Sequence, residues 1–315
     1  MKRAFVIGSE WVYYKIYTGP KTADLILIDF IKPIVNKLLK DRTIKRWFFI
    51  RYADPEFHLR VRFQVAKQEH IGKIIVAIYK SINHYFNESL IYKIQLDSYQ
   101  REVERYGENT IDAAENLFYY DSEMVTSLLN LIDDADEGEE LRWLFGIKSI
   151  DKFLSDFGYS EDEKFALLES LKINFAHEFN MNNFLRKQLD KKYSIHQEKI
   201  SNFIQLSIGD NSDVEPLLEI INRKSSQCFL SITNIKDLID SENLNSFTGS
   251  QIHMMMNRLF RSKNRLHEFV VYYFLFKHYK IAWGKRKYLN NKYSSKLRCG
   301  APPVFLLVLS TTLTN

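Results

Sequence analysis

Two arginines and a histidine alternate along one short stretch of the sequence, at His58, Arg60 and Arg62. The residues between them, Leu59 and Val61, are apolar, and this alternation is typical of a β-strand with one buried face. Neighbouring guanidinium groups at this spacing can hold a carboxylate or an oxyanion through paired hydrogen bonds. The alternative interpretation is a solvated strand face on which the cations pack against aromatic rings.

A second polar stretch, residues 98–110 (SYQREVERYGENT), carries charges of alternating sign. It ends in Arg105, Tyr106 and Gly107, and a glycine permits a sharp turn at the edge of a sheet. Such a turn would direct Arg105 toward the face that carries the strand arginines. A ladder of surface ion pairs is the alternative explanation for the charges.

The third candidate stretch is residues 251–260 (QIHMMMNRLF), which we expect to be helical. His253 and Asn257 are four residues apart and would share one face of the helix, with Arg258 next to them. An imidazole beside an anion-binding group is suited to proton transfer. The alternative is a histidine that is buried in the core and has no role in chemistry.

The pattern of apolar residues predicts the elements that position these groups. Strands are predicted at residues 11–17, 46–52, 57–65 and 92–96, with helices at 22–40 and 69–86. The order β-α-β-β-α-β is that of a ferredoxin-like half, with two helices on one face of the sheet and the arginines on the other. The second half is predicted to be largely helical, with a long helical stretch over residues 251–280 that breaks near 262–264. We therefore predict an α+β protein with a sheet subdomain (1–108), a helical subdomain packed on it (109–290) and a C-terminal tail (291–315), disordered or forming a peripheral strand.

The composition of the 315 residues excludes several classes of protein. Hydrophobic residues make up 45% and aromatic residues 14%, which is typical of a globular chain. The net charge of +5 is the difference between 44 basic and 39 acidic residues, too small for a dedicated nucleic-acid binder. Only two cysteines occur, and metal, nucleotide and serine-nucleophile motifs are absent from the sequence. We expect a cytoplasmic protein without a membrane span.

Three motifs, taken together and in order, resemble the C-terminal elimination domain of class I lantibiotic dehydratases. They are WFFIRYADPEFHLRVRF, then EVERYGE followed by AAENLFYYDS, and finally HMMMNRLF. The same domain occurs alone as a thiopeptide-type bacteriocin biosynthesis protein. The resemblance extends over residues 11–279, without the large N-terminal glutamylation domain of full-length dehydratases, so the split form is expected.

This resemblance implies a lyase that acts second in a reaction of two proteins. A separate protein that depends on glutamyl-tRNA attaches glutamate to Ser or Thr of a ribosomally made precursor peptide. The elimination domain then removes an α-proton and expels glutamate, leaving dehydroalanine or dehydrobutyrine. The implied partners are the precursor peptide, the glutamylation protein and a cyclase, with no direct contact to nucleic acid. No metal or organic cofactor is implied, because the substrate already carries its activating group.

The resemblance also assigns roles to individual residues. Arg60, Arg62 and Arg105 match the arginines of the family motifs, and His253 matches the histidine that is the candidate acid or base. The same stretches supply a set of predicted substrate-binding residues: His58, Arg51, Tyr106, Asn257 and Arg258. The sequence departs from the family pattern at Glu108, where a second glycine usually follows the arginine–tyrosine–glycine motif.

Three other functions are compatible with parts of this pattern. A thiopeptide pyridine synthase, which joins two dehydroalanines by formal [4+2] cycloaddition, has the same fold but does not need the set of residues that holds glutamate. A non-catalytic subunit could use the arginines to dock acidic residues of a precursor peptide. An RNA-binding ferredoxin-like module is disfavoured by the balanced charge and the long helical half.

Overall fold

The structure, a computed structural model, describes residues 2–132 and 136–298. Its strands are β1 (Ala4–Phe5), β2 (Trp11–Thr18), β3 (Ile44–Tyr52), β4 (His58–Val65), β5 (Ile91–Asp97) and β6 (Tyr99–Gln100). The helices among them are α1 (Pro20–Leu25), a π-helical segment (Ile26–Ile31), α2 (Lys32–Lys40), a 3-10 turn (Gln68–His70), α3 (Ile71–Asn87) and α4 (Val103–Tyr106). The first half is therefore a mixture of strands and helices, as predicted.

The main sheet has the strand order β3-β4-β2-β5, and all neighbouring strands are antiparallel. Helices α1 and α2 connect β2 to β3, and α3 connects β4 to β5. This is the ferredoxin-like order, so the predicted α+β fold class is confirmed. The pair β1–β6, which the sequence pattern did not predict, forms a separate two-stranded sheet.

The register of β4 determines what surrounds its arginines. Arg62 lies opposite Tyr13 on one side and Phe48 on the other. Leu59 and Val61 point to the opposite face, where they are fully buried beneath the helices of this half. Period-two alternation therefore places the arginines of β4 on one face of the sheet and its apolar residues on the other.

The second half consists of helices α5 (Ile111–Leu129), α6 (Asp136–Asp156), α7 (Glu161–Glu178), α8 (Asn183–Gln205), α9 (Glu215–Leu238), α10 (Ser241–Leu259) and α11 (Asn264–Arg298). The predicted break near residues 262–264 is confirmed, because α10 ends at Leu259 and α11 begins at Asn264. Helix α11 runs to Arg298, so residues 291–298, which were predicted to begin the tail, are helical. Residues 299–315 of that predicted tail lie outside the described residues. None of the helices in the described ranges is long and apolar enough to cross a membrane.

The two halves meet along strand β3, against which α5 and α10 pack. The side chain of Asn257 forms hydrogen bonds to both backbone groups of Arg51, each 2.9 Å long. Buried Asp24, on α1, accepts hydrogen bonds from Arg51 at 2.5 Å and from Arg142, on α6, at 3.1 Å. These contacts fix α10 relative to the sheet, and the face of α10 that carries His253 is fixed with it.

Candidate active site between the sheet and the helical half

A cleft of about 460 Å³ opens between the polar face of the sheet, the segment from β6 to α4, and helix α10. All four predicted catalytic residues line it: Arg60 and Arg62 from β4, Arg105 from α4 and His253 from α10. The structure thus brings together residues that are far apart in the sequence. The other residues of the lining are Tyr13, Lys15, Ile50, Arg51, Tyr52, Asp97, Ser98, Gln100, Glu102, Met254 and Asn257.

Arg60 is oriented by its neighbours on the sheet. Its guanidinium lies 3.5 Å from the centre of the Tyr52 ring, and its Nε donates to His58 Nε2 at 3.1 Å. His58 Nδ1 lies 2.8 Å from the carbonyl oxygen of Glu56, so Nδ1–H donates there and Nε2 is the acceptor. Burial lowers the pKa of His58, which favours this neutral form. His58 is 1% exposed and does not line the cleft. Its hydrogen bond to Arg60 therefore supports a role in orienting that arginine, whereas a direct contact with substrate was predicted.

Arg62 lies in a box of aromatic rings. The centres of the Tyr13, Tyr99 and Phe48 rings are 4.4, 4.8 and 5.2 Å from its guanidinium carbon. Burial lowers the pKa of Arg62 from its ordinary value. Within the described part of the chain, no carboxylate oxygen lies within 4 Å of this guanidinium. The box therefore holds a positive charge that is available to a bound anion.

Arg105 reaches the cleft from a short helix that ends in a tight turn. Gly107 follows α4 with φ of +77°, a backbone conformation that favours glycine. Arg105 is about half exposed and its Nη1 lies 3.1 Å from Glu102 Oε2. The backbone at Glu108 does not have a positive φ, so the turn does not require a second glycine there.

Arg258 and Tyr106 lie deeper than the cleft wall. Arg258 is fully buried, and its Nη1 donates to the carbonyl oxygen of Met254 at 2.8 Å and lies 3.7 Å from Asp121 Oδ2. The Tyr106 ring is 3% exposed and packs edge-on against Phe118, with ring centres 5.1 Å apart. Their predicted role in substrate binding therefore requires a branch of the cleft that reaches behind α10 and α4.

The polar groups of Arg51 and Asn257 are used to join the two halves. Arg51 is 2% exposed, and its guanidinium bonds to Asp24 and to the carbonyl oxygen of Arg258 at 3.0 Å. The Asn257 amide is occupied by the backbone of Arg51, although Asn257 also borders the cleft. Both were predicted to bind substrate, and their hydrogen bonds instead support a structural role.

His253 is backed by a buried carboxylate. Its Nδ1 lies 2.9 Å from Glu268 Oε2, and Glu268 is 1% exposed. Glu268 Oε1 accepts a hydrogen bond from the Tyr272 hydroxyl at 2.7 Å. Since a carboxylate only accepts, Nδ1–H of His253 donates to it and Nε2 is left free for the cleft. The Arg265 guanidinium lies 3.5 Å from the same carboxylate and 3.3 Å from His253 Nδ1.

Sequence reasoning missed Glu268, which lies on α11 and was not among the candidate residues. One signal was available, since an acidic residue in an otherwise aromatic and apolar stretch (HEFVVYYFLF) needs a polar partner when it is buried. Which partner it finds depends on how α10 and α11 pack.

The donors in the cleft suit anions better than metal ions. Guanidinium groups cannot act as metal ligands at neutral pH because they stay protonated. Among the described residues, no three His, Cys, Asp or Glu side chains are grouped as metal ligands would be.

Residues 11–279 match the family described as lantibiotic biosynthesis dehydratase C-term. This match covers most of the chain. The chain belongs to this family. The four residues that the sequence resemblance indicated as catalytic, Arg60, Arg62, Arg105 and His253, line one cleft.

Two curated proteins are similar to the chain. It is 25% identical to the subtilin biosynthesis protein SpaB of Bacillus subtilis, over 82% of its own length and 24% of that protein. It is also 25% identical to the nisin biosynthesis protein NisB of Lactococcus lactis subsp. lactis, over 85% of its own length and 25% of that protein. The chain therefore spans about a quarter of the length of these relatives.

Two solved structures share the fold. The tRNA-dependent lantibiotic dehydratase MibB from Microbispora sp. 107891 superposes with a TM-score of 0.69 at 20% identity, over 89% of this chain and 29% of MibB. The pyridine synthase TbtD, from thiomuracin biosynthesis, superposes with a TM-score of 0.63 at 11% identity, over 88% of this chain and 99% of TbtD. At these identities the likeness concerns the fold alone.

Proposed function

We propose that this protein eliminates glutamate from glutamylated Ser or Thr residues of a precursor peptide, leaving dehydroalanine or dehydrobutyrine. The proposal rests mainly on one observation: in a chain of the dehydratase family, His253 lines the same cleft as Arg60, Arg62 and Arg105. The residues needed to move a proton and to hold two anions are all present there.

His253 supplies the proton-transfer group. Its Nε2 takes the α-proton of the glutamylated residue, and the electron pair of that C–H bond passes through an enolate to form the Cα=Cβ double bond. The bond between Cβ and the ester oxygen breaks, and glutamate departs as a carboxylate. Glu268 stabilises the imidazolium that forms, because it accepts from Nδ1–H at 2.9 Å. A carboxylate is a good leaving group, so the base contributes more to this step than an acid would.

The arginines stabilise the negative charge that develops. Arg60 and Arg105 are the more exposed of the three, and they face the open part of the cleft. They hold the enolate oxygen of the peptide and the departing carboxylate, both of which carry more charge in the transition state than in the substrate. Oriented donors of this kind typically contribute a factor of about 10² to 10³ each to the rate.

The proposed partners follow from the substrate. A separate protein that depends on glutamyl-tRNA would glutamylate the precursor peptide, and a cyclase would consume the dehydrated product. The reaction is placed in the cytoplasm, where charged tRNA is made. The elimination step itself needs no tRNA and no ATP.

Pyridine synthesis is the second candidate, because the chain shares the fold of the pyridine synthase TbtD along nearly the whole length of TbtD, and the same fold can therefore carry that chemistry. Cycloaddition of two dehydroalanines expels no glutamate and needs no buried carboxylate behind a base. The His253–Glu268 pair is better explained by proton abstraction, and we therefore place elimination first.

The test is a reaction of the purified protein with a glutamylated precursor peptide, without tRNA or ATP. Elimination releases free glutamate and a peptide that carries a dehydro residue, both measured by mass spectrometry. If the ester stays intact through long incubation with the correct precursor, the proposal is wrong. Release of glutamate with an unmodified serine would show hydrolysis instead. Formation of a six-membered nitrogen heterocycle from a peptide with two dehydroalanines would favour cycloaddition.

A further inference from the structure

Glu115, on α5, is fully buried, and its carboxylate accepts four hydrogen bonds from three residues. Oε1 accepts from the Tyr99 hydroxyl at 2.8 Å and from Arg101 Nε at 2.6 Å. Oε2 accepts from Arg101 Nη2 at 2.6 Å and from Arg46 Nη2 at 2.9 Å. Both oxygens are therefore saturated, since a carboxylate has about four acceptor sites.

The charge of Glu115 is balanced within this cluster. Two guanidinium groups face it, and the second carboxylate of the cluster, Asp112, lies 2.6 Å from Arg46 and 3.3 Å from Arg101. The contact with Arg101 is bidentate, because the planar guanidinium donates through Nε and Nη2 to the two carboxylate oxygens. Glu115 does not line the cleft. It can therefore influence the cleft only through the residues that it holds.

Two of these residues, Tyr99 and Arg101, belong to the segment that forms one wall of the cleft. The alternate residues of the same segment line the cleft: Ser98, Gln100 and Glu102. Side chains of an extended chain point alternately to opposite sides, so the wall is anchored to Glu115 from behind at two successive positions. This segment leads directly into α4, which carries Arg105 into the cleft.

Tyr99 also connects Glu115 to Arg62. The centre of its ring lies 4.8 Å from the Arg62 guanidinium carbon, as one side of the aromatic box. The ring packs against Phe5 and Trp11, with ring centres 5.8 and 5.2 Å away. Burial raises the pKa of Tyr99 well above its ordinary value, and the negative charge of Glu115 acts in the same direction. The hydroxyl therefore keeps its proton and donates, and its bond to Glu115 fixes where the ring lies against Arg62.

We propose that Glu115 is a positioning residue for the elimination reaction. Through Tyr99 it fixes the guanidinium of Arg62. Through Arg101 it fixes the chain that leads to Arg105. This inference rests on the proposed function, in which the arginines stabilise negative charge as it develops. Such donors are effective only where they match the position of that charge, and a misplacement of about 1 Å can cost about 10²-fold in rate.

The first test replaces Glu115 with Gln, which has the same shape but no charge. We expect kcat for elimination from the glutamylated peptide to fall roughly 10- to 100-fold, while the Kd of the unmodified peptide stays at the wild-type value. Single-turnover kinetics and titration calorimetry measure these quantities. The matched control is Asp151→Asn, at a carboxylate that pairs with Lys164 and Tyr279 in the helical half and does not line the cleft. It should keep the wild-type kcat per folded molecule.

A second test separates positioning from loss of stability. Tyr99→Phe keeps the ring beside Arg62 and removes only the hydroxyl that bonds to Glu115, so it tests the connection even if Glu115→Gln does not fold. We expect kcat to fall severalfold, as for the loss of one hydrogen bond to a charged group. The same change in an Arg62→Lys background should cost nothing measurable, because the planar group that the ring positions is absent there. Equal losses in the two backgrounds would overturn the connection between Glu115 and Arg62.

A third readout does not depend on elimination. Phenylglyoxal modifies guanidinium groups, and mass spectrometry of the digested protein gives the rate at each arginine. Arg62 is 7% exposed and enclosed by aromatic rings, so we expect slow modification in wild type and severalfold faster modification in Glu115→Gln. Arg142, which is 1% exposed and lies in the helical half, is the internal standard, and its rate should stay the same.

These results distinguish failure of the inference from failure of the proposed function. If Glu115→Gln eliminates glutamate at the wild-type rate and Arg62 stays protected, Glu115 does not position the cleft and the proposed function stands. If Arg62 alone becomes more reactive while even wild type releases no glutamate, the positioning stands and the proposed function fails. Parallel increases in reactivity at Arg62 and Arg142, with an unchanged kcat per folded molecule, would show that Glu115 only stabilises the fold.

Discussion

His253 Nδ1 lies 2.9 Å from Oε2 of Glu268, across the junction of helices α10 and α11. Glu268 is buried and is held on its other oxygen by the Tyr272 hydroxyl. The carboxylate therefore fixes both the orientation of the imidazole and the nitrogen that carries the proton. Glu268 does not line the cleft, so the role that we propose for it is that of a positioning residue, which acts through His253.

Replacing Glu268 with Gln should slow elimination with little change in peptide binding. The amide can donate to Nδ1, which would leave Nε2 protonated and unable to accept the α-proton. We expect kcat to fall by roughly 10² to 10⁴, close to the loss in His253→Ala, with KM nearly constant. Single-turnover kinetics and peptide-binding titrations measure the two quantities. Tyr272→Phe is the control, since it removes one hydrogen bond to Glu268 and should cost much less. A Glu268→Gln enzyme with normal kcat and a changed KM would contradict this role.

Replacing Arg62 with Lys tests whether the planar guanidinium matters. Lysine keeps the positive charge but cannot stack between the Tyr13 and Tyr99 rings or donate two parallel hydrogen bonds. We expect a loss of roughly 10- to 100-fold in kcat/KM for the glutamylated peptide, with unchanged binding of the unmodified peptide. A lysine variant that works nearly as well as wild type would mean that a point charge is sufficient.

The turn after Arg105 depends on Gly107. Its φ of +77° is strained for other residues, and an added Cβ would lie 2.7 Å from Thr110 Oγ1. Gly107→Ala should therefore destabilise the protein by about 1–3 kcal/mol and lower activity, because the helix that carries Arg105 is displaced. Thermal unfolding gives the first quantity and initial rates give the second. Glu108→Ala is the matched control on the next residue, where the backbone needs no positive φ, and should change stability by no more than about 0.5 kcal/mol.

Asn257 is predicted to affect stability and activity together. Its amide pairs with both backbone groups of Arg51, on the strand that faces the helical half. Asn257→Ala leaves a buried N–H and carbonyl without these bonds, at a cost of about 1–3 kcal/mol, and loosens α10 near His253. Denaturant unfolding should show the loss, and kcat should fall with it. A variant that is destabilised but fully active would show that this docking does not position His253.

Local periodicity predicted the strand part of the site, and the family resemblance indicated Arg105 and His253, which also line the cleft. His58, Arg60 and Arg62 share a strand face because side chains alternate, and the same rule placed Leu59 on the opposite face. Alternation along β3 also indicates that the side chain of Arg51 points away from the face of Ile50, and its guanidinium indeed bonds to Asp24 on α1, although Arg51 borders the cleft. The contact between His253 and Glu268 could not be predicted, because it depends on the angle at which two helices pack. The burial of Arg258 depends on the same packing.

The last prediction concerns His58 and the stability of the protein in mild acid. His58 is buried between Tyr17 and Tyr52, and burial lowers its pKa; nearby Arg60 and Lys15 act in the same direction, whereas the Glu56 carbonyl opposes them. In the unfolded chain a histidine titrates near 6.5.

Below about pH 6.5, His58 is therefore protonated to a greater extent in the unfolded state than in the folded state. The free energy of unfolding should fall as the pH falls, because protonation stabilises the unfolded state more. His267 and His278 have pKa values lowered by burial and contribute with the same sign. Thermal unfolding between pH 7.5 and 5.5 should show a loss of stability in wild type and a smaller loss in His58→Gln, whose amide can still donate to Glu56 and accept from Arg60. His84→Gln, at an exposed histidine, is the control and should keep the wild-type pH dependence. A His58→Gln variant with an unchanged slope would show that folding does not lower the pKa of His58, and a wild-type protein that gains stability on acidification would contradict the predicted direction.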